Sequence, residues 1–268
     1  MPDSLARLRD ELARANRILA REDVLDAFGH VSVRHPGNPG RYLLSRSRGP
    51  ELVEPSDILE FTLDSEPVVP PTKRLYSERV IHGCIYQARP DVNAVVHHHA
   101  PSIMPFCIAG VDLVPVFHLG ATMGEKAPFW DSRDEFGDTN LLVVRPEEGR
   151  SLARALGPHA IVLMRRHGAT VAGGDLHEVV FRSIYSVRNA EFQMRAHVLG
   201  GVGALSAQEA QLAAKHNLAP GPVERAWEYW CGRLAKAEGT IGAVKSPRRA
   251  RASSAKRSKA ARRRSRKR

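Results

Sequence analysis

Ala94-Val95-Val96-His97-His98-His99-Ala100-Pro101 is the stretch that organises this chain. An apolar run of strand-forming residues ends in three consecutive histidines, and a proline then stops it. Side chains alternate faces along a strand, so His97 and His99 point one way and His98 the other. Two imidazoles on one face of a strand end can chelate one divalent metal. Strand ends are also where α/β proteins assemble their sites.

Working outward, Ser77 to Ala88 predicts a helix, with Val80, Ile81, Cys84 and Ile85 on one stripe and Pro90 ending it. Ser77 sits at its start and Glu78 just inside. The helix leads within a few residues into the histidine strand, which can bring Glu78 near a metal there. The same position also suits a carboxylate that only offsets the helix dipole. Far downstream, Ala160 to Met164 reads as a buried strand ending in Arg165-Arg166-His167-Gly168, where the glycine is free to turn sharply. His97, His99 and His167 at strand ends, with one carboxylate close by, form a candidate divalent-metal site.

The N-terminal part predicts an amphipathic helix over residues 4–20, with Leu5, Leu8, Leu12, Ala15 and Leu19 at three- and four-residue steps. The helix gives way to Asp26 to His30, a strand is then expected at Val31 to Arg34, and Pro36 to Gly40 turns into a second, Tyr42 to Leu44. Ser45-Arg46-Ser47-Arg48-Gly49 follows. Two arginines among small hydroxyl residues read either as an anion pocket, since Arg grips carboxylate or phosphate bidentately, or as a solvated loop. A third strand is expected at Ile58 to Phe61. Further strands are expected at Val114 to Phe117, ending at His118, and at Leu141 to Val144. Gly120 to Asp138 reads as an active-site loop. Capping patterns at Asp175 and Ser206 open two later helices. The last helix, Val223 to Ala237, carries Trp227 and Trp230.

The 268-residue chain has a formal net charge of +11. Thirteen of its 40 basic residues lie between Lys245 and Arg268 with no acid among them, so the remaining 27 nearly match the 29 Asp and Glu. The basicity belongs to a tail. Residues 1–239 are expected to form the catalytic domain and residues 240–268 a disordered basic tail. Such a tail suits at most salt-sensitive, non-specific polyanion binding, since it has no interleaved aromatic residues. No apolar run approaches the roughly 18 residues of a membrane span. The charged N-terminus does not read as a signal peptide. Three scattered cysteines, Cys84, Cys107 and Cys231, point to reduced thiols and a cytoplasmic setting.

Taken in order, several motifs resemble the class II aldolase/adducin family. They are Gly29-His30-Val31-Ser32, Ser77-Glu78 with His82, Arg89-Pro90-Asp91 through the histidine strand, and Arg166-His167-Gly168. The resemblance covers roughly residues 5 to 235. It implies an α/β, three-layer α/β/α class II aldolase-like fold with a central, mainly antiparallel sheet, and usually a homotetramer with sites near subunit interfaces. It implies His97, His99 and His167 as ligands of one divalent metal per subunit (Zn, Mn, Fe or Co). Glu78 is implied as the acid/base, able also to fill a coordination position. His98 faces away.

Two departures separate the chain from the sugar-phosphate aldolases. His30 stands where they carry Asn, and Ser45 to Glu51 replaces their phosphate-binding loop. An arginine at a phosphate-cradling glycine position favours carboxylates over phosphosugars. Leu44-Ser45-Arg46-Ser47, Tyr76, Pro115-Val116-Phe117-His118, Leu163-Met164-Arg165 and the Tyr185 to Ala190 helix resemble the decarboxylase branch, whose substrates are hydroxymethylpyridine dicarboxylates, dihydroxyphthalates and carboxylated ring-fission semialdehydes. The resemblance therefore implies a metal-dependent carbon–carbon lyase acting on a small carboxylate. An aldolase acting on a non-phosphorylated hydroxy-keto acid or sugar is the alternative reading. Catalytic candidates are Glu78 and His118, and His118 also reads as a structural strand-end histidine. Substrate-binding candidates are His30, Ser45, Arg46, Ser47, Arg48 and Ser77.

Overall fold

A computed structural model describes residues 2–245. The first helix, α1 (Pro2–Arg21), buries Leu12, Ala15 and Leu19 of the expected apolar stripe, together with Ile18, and half-buries Leu5 and Leu8. Three antiparallel strands follow: β1 (His30–Arg34), β2 (Arg41–Ser45) and β3 (Ile58–Thr62). Helix α2 (Val80–Ala88) begins after a 3-10 turn at Ser77–Arg79 and leads into β4 (Ala94–His98). Next come α3 (Met104–Ala109), the short β5 (Phe129–Trp130), α4 (Arg133–Phe136) and α5 (Pro146–Leu156). Strands β6 (Ile161–Met164) and β7 (Gly168–Gly173) complete the sheet. Helices α6 (Leu176–Val198), α7 (Ala207–Asn217) and α8 (Pro220–Lys245) close the described chain.

The seven strands form one sheet in the order β3-β2-β1-β4-β7-β6-β5. Every pairing is antiparallel except β5 with β6. Strand alternation divides the core into two layers. Val31, Val33, Ala94, Val96 and Val171 pack with α1, α6 and α8 on one side. Tyr42, Leu44, Val95, Val162 and Ala172 pack with α2 and α5 on the other. His98 therefore shares a face with Val96, towards the first layer, and His97 shares one with Val95, towards α2. The three-layer architecture and mainly antiparallel sheet agree with the expected fold.

Two expected strands are not strands. At Val114 to Phe117 the chain is held by a helix instead of a neighbouring strand. Val114 N–H donates to Gln193 Oε1 at 3.0 Å, Val116 N–H donates to Asn189 Oδ1 at 2.8 Å, and Asn189 Nδ2 returns a bond to the Val114 carbonyl at 2.7 Å. These amide side chains of α6 satisfy the groups a ladder would otherwise use. At Leu141 to Val144 carboxylates take that role. Val143 N–H goes to Glu78 Oε1 and Val144 N–H to Glu148 Oε2, each at 2.9 Å. Leu142 and Val144 are exposed, and only Val143 enters the core.

The sharp turn near His167 is also displaced from its expected position. Arg166, at φ 53°, makes it, and Gly168 opens β7. The stretch from Gly120 to Asp138 holds a 3-10 turn, β5 and α4. Helix α8 runs on to Lys245, past the expected boundary at residue 239. The rest of the basic tail, with its expected disorder and polyanion binding, lies outside the described residues. No helix among the described residues is long and apolar enough to cross a membrane. All three cysteines are free thiols.

Candidate metal centre

β1 and β4 pair so that His30 stands opposite His97, and β4 and β7 pair so that His97 stands opposite Thr170. His97 thus occupies the middle of the sheet, on the face that looks at α2. His99 lies one residue beyond the end of β4. His167 sits in the turn joining β6 to β7. Gly168 lets that turn approach, because a Cβ there would stand 2.2 Å from the His98 carbonyl oxygen and 2.9 Å from the His99 ring. Glu78 lies in the turn before α2, at φ −90° and ψ 18°. That sparsely populated bridge region is where many active-site residues sit.

These four residues converge. Their ligand atoms all lie within 4.8 Å of one another. His97 Nε2 is 3.1 Å from His99 Nε2, His167 Nε2 is 3.4 Å from Glu78 Oε1, and His97 Nε2 is 3.9 Å from Glu78 Oε2. Two nitrogens each 2.0–2.1 Å from one tetrahedral ion stand roughly 3.3–3.4 Å apart. The 3.1 Å His97–His99 spacing is close to that value and brings two lone pairs to one point.

The electrostatics suit neutral ligands. Burial, and then the neighbouring histidines, hold His97 well below the ordinary imidazole range. Burial and His167 lower His99, with Glu78 opposing them. A neutral imidazole is the form that binds metal. Behind His97, Nδ1 lies 3.2 Å from Thr170 Oγ1, and that hydroxyl donates to Met164 Sδ at 3.4 Å. With the Nδ1 proton on Thr170, the Nε2 lone pair of His97 faces the cluster, as an outer-shell partner to a ligating histidine arranges. Three imidazoles and a carboxylate are a donor set for Zn, Mn, Fe or Co. The residues present therefore fit a divalent metal.

The other expected site residues divide into two groups. His30 is buried, with its ring 5.3 Å from that of His97 and 4.6 Å from that of Tyr76. Tyr76 in turn reaches the arginine loop. Its hydroxyl donates to the Arg48 carbonyl and lies 3.5 Å from Ser45 Oγ. Ser47 is held by its backbone to the Arg74 carbonyl at 2.8 Å. Ser77 opens the turn that carries Glu78. Arg46 and Arg48 are not free forks. Asp57 binds Arg46 Nε at 2.6 Å and Arg48 Nη1 at 2.5 Å. Burial would raise this carboxyl, but the Glu54 N–H and the two arginines hold it below its usual range. Two guanidinium groups share one carboxylate, so this trio carries a net positive charge.

His118 stands apart. Its carbonyl accepts from Asn217 Nδ2 at 3.0 Å, and its ring packs edge-on against Phe117. It lines a cavity of about 470 Å³ with Tyr185, His216 and Arg225, bounded by α6, α7 and α8. His98 is fully buried on the opposite face from His97, and burial pushes it down to about 3.

Three contributors escape a reading of the sequence: Thr170 behind His97, Val143 behind Glu78, and Asp57 behind the arginines. Each is an ordinary residue whose part comes from strand register or loop packing, and no spacing in the sequence marks it.

Comparison with known proteins agrees with this geometry. The chain is 34% identical over 235 residues to the decarboxylase tropJ of Talaromyces stipitatus, covering 80% of this chain and 88% of that protein. It is 29% identical over 215 residues to the 3,4-dihydroxyphthalate decarboxylase of Arthrobacter keyseri, covering 75% and 83%. The L-fuculose 1-phosphate aldolase from Glaciozyma antarctica PI12 shares the fold, with a TM-score of 0.74 at 20% identity, covering 88% of this chain and 92% of that one. The Class II Aldolase and Adducin N-terminal domain model matches residues 10–194. This chain belongs to the class II aldolase/adducin family.

Proposed function

We propose that this protein is a divalent-metal-dependent carboxy-lyase acting on a hydroxylated aromatic, pyridine or ring-fission mono- or dicarboxylic acid. The observation that carries the reading is the convergence of His97, His99, His167 and Glu78 within 4.8 Å. The decarboxylase relatives support carbon dioxide as the leaving group.

In decarboxylation the bond between a carbon and its carboxylate breaks. Carbon dioxide leaves, and the electron pair stays on the carbon, spread onto an adjacent oxygen. That carbon then takes one proton. A divalent metal held by His97, His99 and His167 would supply the positive charge that favours electron density on that oxygen. Glu78 carries the proton. Its Oε1 is tied to the Val143 N–H at 2.9 Å, which aims the carboxyl group at the three histidines. Tyr76 and His30 form the wall between the histidines and the arginine loop. Arg46 and Arg48, with their excess positive charge, attract a carboxylate of the substrate. Because His118 lines a separate cavity, Glu78 is the group assigned to the proton within one chain.

Exposed apolar side chains at Ile108, Val111, Phe192, Val198 and Leu199 support a homo-oligomer, the tetramer usual in the family. Sedimentation of the purified protein reads its mass.

The test couples metal analysis of the purified protein to carbon dioxide detection across hydroxylated aromatic, pyridine and muconic acids, with aldehyde assayed in parallel. Carbon dioxide without aldehyde is expected. His97→Ala should lose metal and activity together. Full activity in metal-free protein, or release of aldehyde instead of carbon dioxide, would overturn the reading.

A further inference from the structure

A buried hydrogen-bonded chain runs from α2 to the wall of the metal centre. The Tyr86 hydroxyl lies 2.7 Å from Ser32 Oγ, Ser32 Oγ lies 2.6 Å from His82 Nδ1, and His82 Nε2 lies 2.6 Å from His30 Nδ1. Tyr86, Ser32, His82 and His30 are each at most 3% exposed. All four come from facing elements, β1 and α2. None is an expected metal ligand.

The direction of this chain follows from where its protons can go. A buried hydroxyl hydrogen without an acceptor is costly, whereas an unused phenol lone pair is not. Ser32 Oγ is the only acceptor bonded to the Tyr86 hydroxyl among the described residues. The Tyr86 proton therefore points at Ser32. Ser32 uses its own proton towards His82 Nδ1, which must then be a bare acceptor. Burial keeps His82 neutral by pushing it down to about 3, so its single ring proton sits on Nε2. That proton goes to His30 Nδ1. A neutral His30 then carries its proton on Nε2. His30 Nε2 has no partner among the described residues, and it is not one of the enclosed unpartnered atoms. The ring that carries it stands 4.6 Å from that of Tyr76 and 5.3 Å from that of His97.

We infer that Tyr86, Ser32 and His82 lock His30 as the Nε2–H tautomer, so that His30 presents a hydrogen-bond donor to a carboxylate or phenolate oxygen of the substrate. This rests on the carboxy-lyase reading for the class of substrate, though not for the tautomer. His30 is the residue that touches substrate; His82, Ser32 and Tyr86 are positioning residues. A donor selects an anionic or carbonyl oxygen and rejects an N–H or ammonium group at the same place. A bare imidazole nitrogen would select the reverse.

The test uses the full chain loaded with zinc, labelled with ¹⁵N-histidine, and salicylate as the probe. Long-range ¹⁵N–¹H spectra should show protonated Nε2 and bare Nδ1 on both His30 and His82. Titrated salicylate should shift the His30 Nε2–H signal. A hydrogen bond to a charged group predicts that His30→Phe weakens salicylate roughly tenfold or more. His82→Leu should weaken it in the same direction, and His82→Gln, which still offers an N–H to His30 Nδ1, should restore much of the loss. Ser32→Ala gives a smaller disturbance of the core should His82→Leu not fold. A protonated Nδ1 on His30 overturns the proposal, as does unchanged salicylate affinity in His30→Phe or no binding to the wild type. Correct tautomers and salicylate affinities, with no carbon dioxide from any acid tested, would uphold this proposal and remove the carboxy-lyase reading alone.

Discussion

Glu78 Oε1 accepts the backbone N–H of Val143 at 2.9 Å, so a turn before one helix and a loop 65 residues later hold a single carboxylate. The loop around Val143 gives up strand pairing to do this. Glu78→Gln keeps an oxygen for that bond and keeps the three histidines. The variant should fold with a melting temperature within a few degrees of wild type and retain metal. Carbon dioxide release should fall by about 10²–10⁴-fold, the span typical of a lost general acid. Wild-type turnover in this variant would take the proton away from Glu78.

Thr170 Oγ1 stands 3.2 Å from His97 Nδ1 and orients a ring that it does not replace. Thr170→Val matches its shape without the hydroxyl. Metal affinity should weaken roughly 10–100-fold, the usual range for outer-shell partners. Competition with a fluorescent chelator measures it, and an unchanged dissociation constant would remove Thr170 from the site.

Gly168 admits no Cβ, because the His98 carbonyl oxygen would lie 2.2 Å away. Gly168→Ala should push β7 from β4 and displace His99 and His167 together. The expected cost is roughly 1–3 kcal/mol, typical of overpacking, with loss of metal. Gly201, whose Cβ would meet nothing within 4 Å, is the control, and Gly201→Ala should leave both unchanged. Urea unfolding and metal analysis of the two variants decide.

Burial alone pushes His82 from 6.5 to about 3. Below pH 6.5 the unfolded chain takes up a proton at this ring, and the folded chain does not until about pH 3. The unfolded state binds more protons across that window, so stability falls as the pH falls. The contribution is about 1.4 kcal/mol per pH unit for one group. His82→Gln should flatten the slope of unfolding free energy between pH 6 and pH 4 by that amount. An unchanged slope would mean that folded His82 takes up its second ring proton over the same pH range as the unfolded chain.

Arg46 and Arg48 divide the Asp57 carboxylate between them. Arg46→Ala leaves Asp57 to neutralise Arg48, removing the excess charge offered to substrate. KM for a dicarboxylate should rise about tenfold, and more than KM for the matching monocarboxylate. Equal changes for the two would place the arginines outside the substrate site.

Much of this protein is legible in local pattern. The stripe of α1, the capping boxes at Asp175 and Ser206, and the alternation through Val95, Val96 and His97 each depend on near neighbours, and they place helices and strands directly. Alternation also separates His97 from His98, and the two do face opposite core layers. The family motifs extend this to His99, His167 and Glu78, which the fold brings together.

What local pattern could not decide is who satisfies a backbone or side-chain group at long range. Val114 to Phe117 and Leu141 to Val144 are apolar and β-branched, as strands are, yet Asn189, Gln193, Glu78 and Glu148 take their N–H groups. Asp57 converts two apparently open arginines into a shared ion pair. The tautomer of His30 depends on a hydroxyl at Tyr86, 56 positions away in the sequence and adjacent only because α2 packs on β1. Periodicity in the sequence alone determined most of the helices and strands and the faces they bury, though not whether the stretches at Val114 and Leu141 pair as strands. Only the tertiary structure decided the bonding partners at the site, because a hydrogen bond requires approach within about 3 Å, and strand register and helix packing set that approach.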